Sequence, residues 1–131
     1  MVKKLFAISL FVVILDRILK FYFLDLENEF FIFKYSLNTG AAFGLLPGWN
    51  NFLIVFSVIV VAFILYHRKN KKLEAGMGFL LGGTISNLID RIFYHGVVDY
   101  IHIDFLNNIF NLADVANLIG AGILAYYFWK E

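Results

Sequence analysis

The stretch Gly82–Asp114, GGTISNLIDRIFYHGVVDYIHIDFLNNIFNLAD, decides the fold of this chain. It contains four aspartates, an arginine and several asparagines, and it lies between two segments that are apolar enough to cross a bilayer. Ionisable groups at a membrane boundary are costly, and those found there usually serve a function. This stretch is therefore the predicted functional site, with Asp99 and Asp114 as its candidate catalytic pair.

The composition of the whole chain indicates a membrane protein. Of its 131 residues, 61% are hydrophobic and only 16% are charged, with a mean hydropathy of +0.77. A water-soluble domain of this length has too much surface for its volume to hide so many apolar side chains. A single proline and the lack of low-complexity runs predict one membrane-embedded domain over residues 1–131, without a linker or an internal repeat.

Residue usage argues against several classes of function. The net charge is +1 and the basic residues form no stripe, so no nucleic-acid partner is expected. Cysteine is absent, which excludes a disulfide framework, a thiol nucleophile and a thiolate metal site. His95 and His102 are interpreted as interfacial residues, because too few other ligands converge with them for a metal site. No phosphate-binding or dinucleotide-binding motif is present, and neither a metal nor a cofactor is expected.

Four apolar segments predict an α-helical polytopic membrane protein with four transmembrane helices, at about residues 4–24, 49–67, 73–94 and 109–129. A helix needs about 20 residues to cross the hydrocarbon core, so the first segment must include Asp16, Arg17 and Lys20. The short basic loop HRKNKK, residues 67–72, marks the cytoplasmic side. With four spans, the lysines near both ends of the chain fall on that side too, which predicts cytoplasmic termini.

Two segments are predicted to lie outside the membrane, on the extracytoplasmic side. FFIFKYSL, residues 30–37, is rich in aromatic and β-branched residues and favours a small β element, although an interfacial loop anchored by aromatic side chains is an alternative. VVDYIHIDF, residues 97–105, alternates; if it is extended, Asp99 shares a side with Val97, Ile101, Ile103 and Phe105, and His102 and Asp104 take the more polar side. Apolar surroundings would raise the pKa of the Asp99 carboxyl.

Spacing within the predicted helices brings polar side chains together. Asp16 and Lys20 are four residues apart and can pair, either as an ion pair at the lipid boundary or in support of a polar site. Asn87 and Arg91 also share a helix face, and Arg91 is expected to find Asp90, Asp16 or a ligand, or to extend towards water. A GxxxG spacing, residues 78–82, predicts close packing of the third helix.

The spans put Asp99 and Asp114 at the same membrane surface. Two neighbouring carboxylates cannot both ionise readily, so one keeps its proton to higher pH. Such a pair can hold a water, deprotonate it and donate to a carbonyl oxygen, and general acid–base catalysis of this kind contributes about 10²–10⁴-fold. An aspartyl hydrolase with a membrane-borne substrate is predicted. A small proton- or ion-coupled carrier, using Asp16, Asp90 and Asp114, is the alternative.

Five motifs, in order along the chain, resemble those of the lipoprotein signal peptidases, the bacterial type II signal peptidases. They are DRILK at 16–20, NTGAAFG at 38–44, GGTISNLIDR at 82–91, VVDYI at 97–101 and FNLAD at 110–114. The resemblance implies a four-helix aspartyl peptidase of the inner membrane, with a small β cradle after the first helix and an amphipathic segment between the last two. It implies cleavage of diacylglyceryl-modified prolipoproteins just before the modified cysteine. We expect a monomer.

The resemblance also implies roles for individual residues. Asp99 and Asp114 would be the catalytic aspartates. Asp90 also lies in one of these motifs and is a rival to Asp99, but we expect it to be a structural ion-pairing residue, because Asp99 lies beyond the end of the third helix, nearer to where a scissile bond would arrive. Substrate-binding or supporting roles would fall to Asp16, Lys20, Asn38, Gly40, Asn87, Arg91 and Asn111. Two features depart from the family pattern: Ser86 stands where glycine or another small residue is expected, and the connection from Asp99 to Asp114 is shorter than usual.

Overall fold

The computed structural model describes residues 2–24 and 32–131, which are mostly helical and carry one small sheet. The helices are α1 (Lys3–Phe23), α2 (Asn50–His67), α3 (Glu74–Tyr94) and α4 (Leu112–Lys130). The strands are β1 (Phe33–Asn38), β2 (Val97–Ile103) and β3 (Asn108–Phe110). Short 3₁₀ turns lie at Ala42–Gly44, Lys71–Leu73 and Asp104–Leu106.

Helix α3 is the centre of the fold and packs against the other three helices. Its glycines explain how. A Cβ at Gly82 would lie 2.8 Å from the Ser9 carbonyl oxygen, so this face of α3 touches the backbone of α1. A Cβ at Gly76 would lie 2.9 Å from Leu124 on α4, so another face is equally close to α4. The close packing predicted from the GxxxG spacing is confirmed, and α3 has two such faces.

Two of the described helices, α2 and α4, are long and apolar enough to cross a membrane, with mean hydropathies of 2.0 and 1.3. Only 17% of α2 is buried inside the protein, so its apolar side chains face outwards, as in a helix surrounded by lipid. Helices α1 and α3 instead bury charged side chains against each other, among them Lys20 and Asp90.

The sheet joins the two segments that the sequence predicted to lie outside the membrane. It is antiparallel with the order β1-β2-β3, and Ser36 of β1 lies opposite Asp99 of β2. The strand predicted within residues 30–37 is therefore present from Phe33, and the alternative of an interfacial loop is wrong for the described residues of this segment. Residues 25–31 lie outside the described part. The stretch 97–105 is extended only to Ile103, because the chain turns at Asp104–Leu106 to form β3. The amphipathic segment expected there is thus a short hairpin.

Two details of these segments differ from the sequence predictions. Both faces of the first half of β2 are buried, because Val98 and Tyr100 pack inwards on the side predicted to be polar. Residues 108–110 belong to β3 rather than to the fourth helix, which was predicted to begin near residue 109. Helix α4 begins at Leu112, where Asn111 caps it.

Candidate active site

Asp99 and Asp114 come from different elements and meet around one asparagine. Asp99 lies in the middle of β2, and Asp114 lies in the first turn of α4. Asn111 Nδ2 donates a hydrogen bond to Asp99 Oδ1 at 2.8 Å. The Asn111 side chain also accepts from the Asp114 backbone N–H at 2.8 Å, while the Asp114 carboxylate accepts from the Asn111 N–H at 3.3 Å. This capping box begins α4 and fixes both aspartates relative to one another.

A second asparagine holds the other oxygen of Asp114. Asn87 Nδ2 donates to Asp114 Oδ1 at 2.9 Å. Its own Oδ1 accepts from Lys20 Nζ at 2.9 Å and from Asn111 Nδ2 at 3.1 Å. The predicted catalytic pair is therefore connected to α1 and α3 through uncharged amides, which orient the carboxylates without neutralising them.

The Asp99 side chain is 1% exposed and its electrostatics follow from that burial. Burial, together with the nearby charge of Asp114, raises the pKa of the Asp99 carboxyl from 3.8 to about 8. Hydrogen bonds from Asn38 and Asn111 and the charge of Lys20 oppose the shift only in part. The sequence predicted a raised pKa, but the immediate partners of Asp99 are polar amides rather than the apolar neighbours expected from strand alternation.

Beneath the pair lies a cluster of two acidic and two basic side chains. Lys20, which is 1% exposed, contacts Asp16 at 2.7 Å and Asp90 at 2.8 Å. Asp90 also pairs with Arg17 at 2.5 Å and accepts a hydrogen bond from the Val98 N–H at 3.0 Å. The pairing of Asp16 with Lys20 agrees with their spacing. Asp90 turns towards α1, so its partners are Arg17 and Lys20 rather than its neighbour in the chain.

Asp16 connects this cluster to the start of α4. It accepts from Ser86 Oγ at 2.6 Å, from the Tyr100 hydroxyl at 2.8 Å and from the Ala113 N–H at 3.2 Å. Burial and the charge of Asp16 raise the pKa of the Tyr100 phenol, which therefore stays a donor. The Tyr100 oxygen also accepts from the Leu112 N–H at 3.0 Å.

Arg17, Ser86 and Tyr100 are site residues that the sequence analysis did not identify. Each lies inside or beside a quoted motif, and that proximity was the only signal. Ser86, noted as a departure from the family pattern, is fully buried and uses its hydroxyl as the donor to Asp16. His95 and His102 make no hydrogen bond or ion pair with Asp99 or Asp114 among the described residues. His95 ends α3, and His102 Nδ1 is 3.4 Å from the exposed Asp104.

The loop after β1 supports the site from the other side. Asn38 Oδ1 accepts from the Gly40 N–H at 2.8 Å, and its Nδ2 donates to the Ala41 carbonyl at 2.7 Å. A side chain at Gly40 would collide with the backbone carbonyls of Leu45 and Leu46, so this turn can close only around glycine. Asn38 is thereby held at the end of β1, within reach of Asp99.

Arg91 lies beside a cavity that reaches Asp114. The cavity has a volume of about 410 Å³, and Asn87, Arg91 and Asp114 are among its lining residues. Arg91 is 6% exposed, and its Nη1 has no hydrogen-bond partner among residues 2–24 and 32–131. Asn50 of α2 donates to the Arg91 carbonyl at 3.2 Å and so fixes the end of α3. Arg91 therefore offers an unused donor beside the carboxylates.

This arrangement suits general acid–base chemistry by two carboxyl groups. Asp99 retains its proton at neutral pH, and a protonated acid beside a carboxylate can activate water and donate to a carbonyl oxygen. Within the described ranges, no group of three or more His, Asp and Glu side chains is arranged to hold a metal ion.

Comparison with known proteins identifies relatives over nearly the whole chain. The family described as signal peptidase (SPase) II matches residues 8–130. The chain is 36% identical to a lipoprotein signal peptidase of Halothermothrix orenii, covering 96% of this chain and 95% of that protein. It is 34% identical to a lipoprotein signal peptidase of Clostridium novyi, covering 95% and 96% of the two chains.

Solved structures agree with these sequence relatives. A bacterial membrane enzyme solved by the in meso method at 2.3 Å resolution superposes with a TM-score of 0.81 at 27% identity, covering 95% of this chain and 86% of the other. A second such enzyme, solved at 1.9 Å, gives a TM-score of 0.77 at 27% identity and covers 95% and 92%.

Proposed function

This chain belongs to the signal peptidase II family, and from that premise we propose that Asp99 and Asp114 are the catalytic pair with which it cleaves its substrates. Members of the family are proteases that process lipoproteins, so the reaction is removal of the signal peptide from a prolipoprotein. The observation that carries the proposal is the bridge by Asn111, whose side-chain amide donates to the Asp99 carboxyl group and whose backbone N–H donates to the Asp114 carboxyl group.

In the proposed mechanism, a water lies between the two carboxyl groups. One carboxyl group, ionised, takes a proton from this water, while the other, protonated, donates to the oxygen of the scissile carbonyl. The raised pKa of Asp99 supports this mechanism, because it keeps a proton on the pair at neutral pH. The water oxygen bonds to the carbonyl carbon, the bond to nitrogen then breaks, and the leaving amine takes up a proton from the pair.

Asp90 is the rival to Asp99, since it also lies in a family motif. We assign it a structural role, supported by its contacts: Arg17, Lys20 and the Val98 N–H occupy its oxygens. Asn87 and Asn111 orient the aspartates, Asp16 and Lys20 support them from below, and Asn38 with Gly40 shapes the loop opposite. Arg91, with its unpaired Nη1, is assigned to the substrate peptide.

We further propose that the substrate carries a diacylglyceryl group on the cysteine that follows the cleaved bond. An apolar cavity between α2 and α4 opens beside Asp114 and supports this proposal, because acyl chains could lie there while the peptide crosses the polar end of the fold. All four helices would cross the inner membrane of a bacterium as a monomer, with both termini cytoplasmic and the sheet on the extracytoplasmic face.

The test compares three purified variants with the wild type in detergent. Asp99→Asn and Asp114→Asn should each lower the cleavage rate of a diacylglyceryl-modified prolipoprotein by at least about 10²-fold, since one partner in acid–base catalysis is lost. The control is Asp104→Asn, whose aspartate is 97% exposed at the tip of the hairpin; it should retain full activity. Near-normal cleavage by a folded Asp99→Asn or Asp114→Asn protein would contradict the assignment.

The carrier function considered from the sequence receives no support. A proton pathway needs polar groups through the depth of the bundle, whereas Asp16, Asp90 and Asp114 belong to one cluster at one end of the helices. The named relatives are peptidases.

A further inference from the structure

The cavity between α2 and α4 is lined in part by polar side chains that the proposed catalytic mechanism does not use. Most of its wall is apolar, contributed by Leu53, Phe56, Val60, Leu80 and Ala121. The exceptions below the catalytic level are Ser57, Thr84 and Asn117. Polar side chains that face a cavity between membrane-crossing helices commonly mark the path of a substrate.

Two hydrogen bonds form successive rungs between the antiparallel helices α3 and α4. The first joins Asn87 to Asp114 at 2.9 Å, and the second joins Thr84 to Asn117 at 3.3 Å. Each residue of the second rung is three positions from its counterpart in the first. At a rise of about 1.5 Å per residue, the second rung lies about 4.5 Å deeper, on the same face of each helix.

The Asn117 side chain is held in one orientation. Its Oδ1 accepts from the Thr84 hydroxyl and points at the backbone of α3, where the lack of a side chain at Gly83 makes room: a Cβ there would lie 2.5 Å from this oxygen. The amide nitrogen of Asn117 takes no part in this contact. In the part of the chain that the structure describes, Nδ2 of Asn117 has no hydrogen-bond partner, and the residue is partly exposed to the cavity.

A ligand that fills the cavity displaces water from this amide N–H, which is unfavourable unless the ligand offers an acceptor of its own. That ligand must offer a hydrogen-bond acceptor on an otherwise apolar molecule. The carbonyl oxygen of an acyl ester meets both requirements. An acylglycerol attached to cysteine has its ester carbonyls only a few covalent bonds from the peptide backbone, so a backbone at Asp114 brings them close to the second rung.

We propose that Asn117 is a specificity-determining residue whose Nδ2 donates a hydrogen bond to an ester carbonyl of the lipid on the substrate cysteine, with Thr84 as the positioning residue. The inference rests on the proposed function and adds to it the group by which the lipid is recognised. The apolar walls contact the acyl chains in the same way whether an ester or an ether joins them to glycerol. Asn117 distinguishes the two linkages, because only the ester offers a carbonyl acceptor.

The experiment compares two prolipoprotein substrates that differ only in this linkage: one carries ester-linked diacylglycerol and the other ether-linked dialkylglycerol, which lacks the carbonyls. Wild-type protein should show a KM for the ester substrate lower by roughly three- to tenfold, as expected for one neutral hydrogen bond. Asn117→Leu should lose this preference by raising the KM of the ester substrate alone. Ser57→Ala, a change at another polar position of the same cavity, should keep it.

Thr84→Val provides a second variant if Asn117→Leu does not fold, and it should weaken the same preference because Asn117 loses its anchor.

Equal effects of Asn117→Leu on both substrates would overturn the proposal in favour of a structural contact between α3 and α4. A second arm repeats the assay in vesicles of ester-linked or of ether-linked phospholipid. A preference that follows the linkage of the phospholipid, and not that of the substrate, would overturn the proposal in favour of a bound bilayer lipid. Cleavage without any preference would also overturn it. A wild-type protein that cleaves neither substrate would overturn the proposed function, and the role of Asn117 with it.

Discussion

Asn111 shows how one residue can serve both folding and chemistry. As the N-cap of α4 it satisfies the N–H of Asp114, a contact of a kind that stabilises helices by roughly 0.5–2 kcal/mol. Its amide nitrogen meanwhile donates to Asp99 on a different element. The residue that begins the helix therefore also sets the geometry of the pair, and the two roles cannot be changed independently.

The raised pKa of Asp99 predicts how stability depends on pH. Between its ordinary value of 3.8 and about 8, the folded protein keeps a proton on Asp99 that the unfolded chain has released. The folded state binds more protons in this window, so the contribution is fully present below about pH 4 and is lost as the pH rises towards 8. We expect the Tm in detergent to fall from pH 4 to pH 8, and to fall less in Asp99→Asn. Parallel curves for the two proteins would contradict the raised pKa.

At the scale of elements, α3 organises the molecule because its glycines allow α1 and α4 to approach on two faces. Asp90 faces α1, whereas Asn87 and Thr84 face α4. The polar contacts of the site are therefore possible only at a short interhelical distance, which small residues permit.

This dependence predicts opposite effects for two glycine-to-alanine changes. Gly82→Ala places a Cβ 2.8 Å from the Ser9 carbonyl oxygen and from Val12 Cβ, so α1 must shift; overpacking of this kind costs about 1–3 kcal/mol. Gly122→Ala on α4 meets no atom within 4 Å and should be neutral or stabilising by up to about 1 kcal/mol, since alanine favours helix. Denaturant unfolding in mixed micelles measures both. Equal stability of the two variants would mean that α1 and α3 are not in tight contact.

At the scale of the whole molecule, the proposed catalytic aspartates and the basic loop between α2 and α3 lie at opposite ends. The aspartates and the sheet are at the end where α3 finishes and α4 begins, while Arg68, Lys69, Lys71 and Lys72 surround the connection between α2 and α3. Because short basic loops usually stay on the cytoplasmic side, we propose that the active site faces outwards.

That orientation can be measured with introduced cysteines, since the chain has none of its own. Lys69→Cys and Asp104→Cys occupy exposed positions at the two ends. In intact cells, a membrane-impermeant thiol reagent should label Asp104→Cys and reach Lys69→Cys only after the membrane is opened. Labelling of both variants in intact cells, or the reverse pattern, would contradict the four-helix topology with cytoplasmic termini.

The sequence by itself determined the features that depend on local pattern. Apolar runs predicted the helices to within a few residues, the aromatic stretch before Asn38 predicted a strand, and the i, i+4 spacing predicted the pairing of Asp16 with Lys20. The sequence predictions were wrong where residues distant in the chain determine the secondary structure. Residues 108–110 are a strand because β2 pairs with them, and α4 starts later because Asn111 is engaged as its cap.

Only the tertiary structure decided which polar groups from different elements meet. Arg17 pairs with Asp90 across two helices, Tyr100 reaches Asp16 from the sheet, and Asn117 is held by Thr84 between α3 and α4. The spacing of residues along the chain could not predict these contacts, because each joins residues from different elements. The packing of the elements sets their relative rotation. The sequence thus specified the periodic elements and their motifs, and the close packing of α3 determined which side chains face one another.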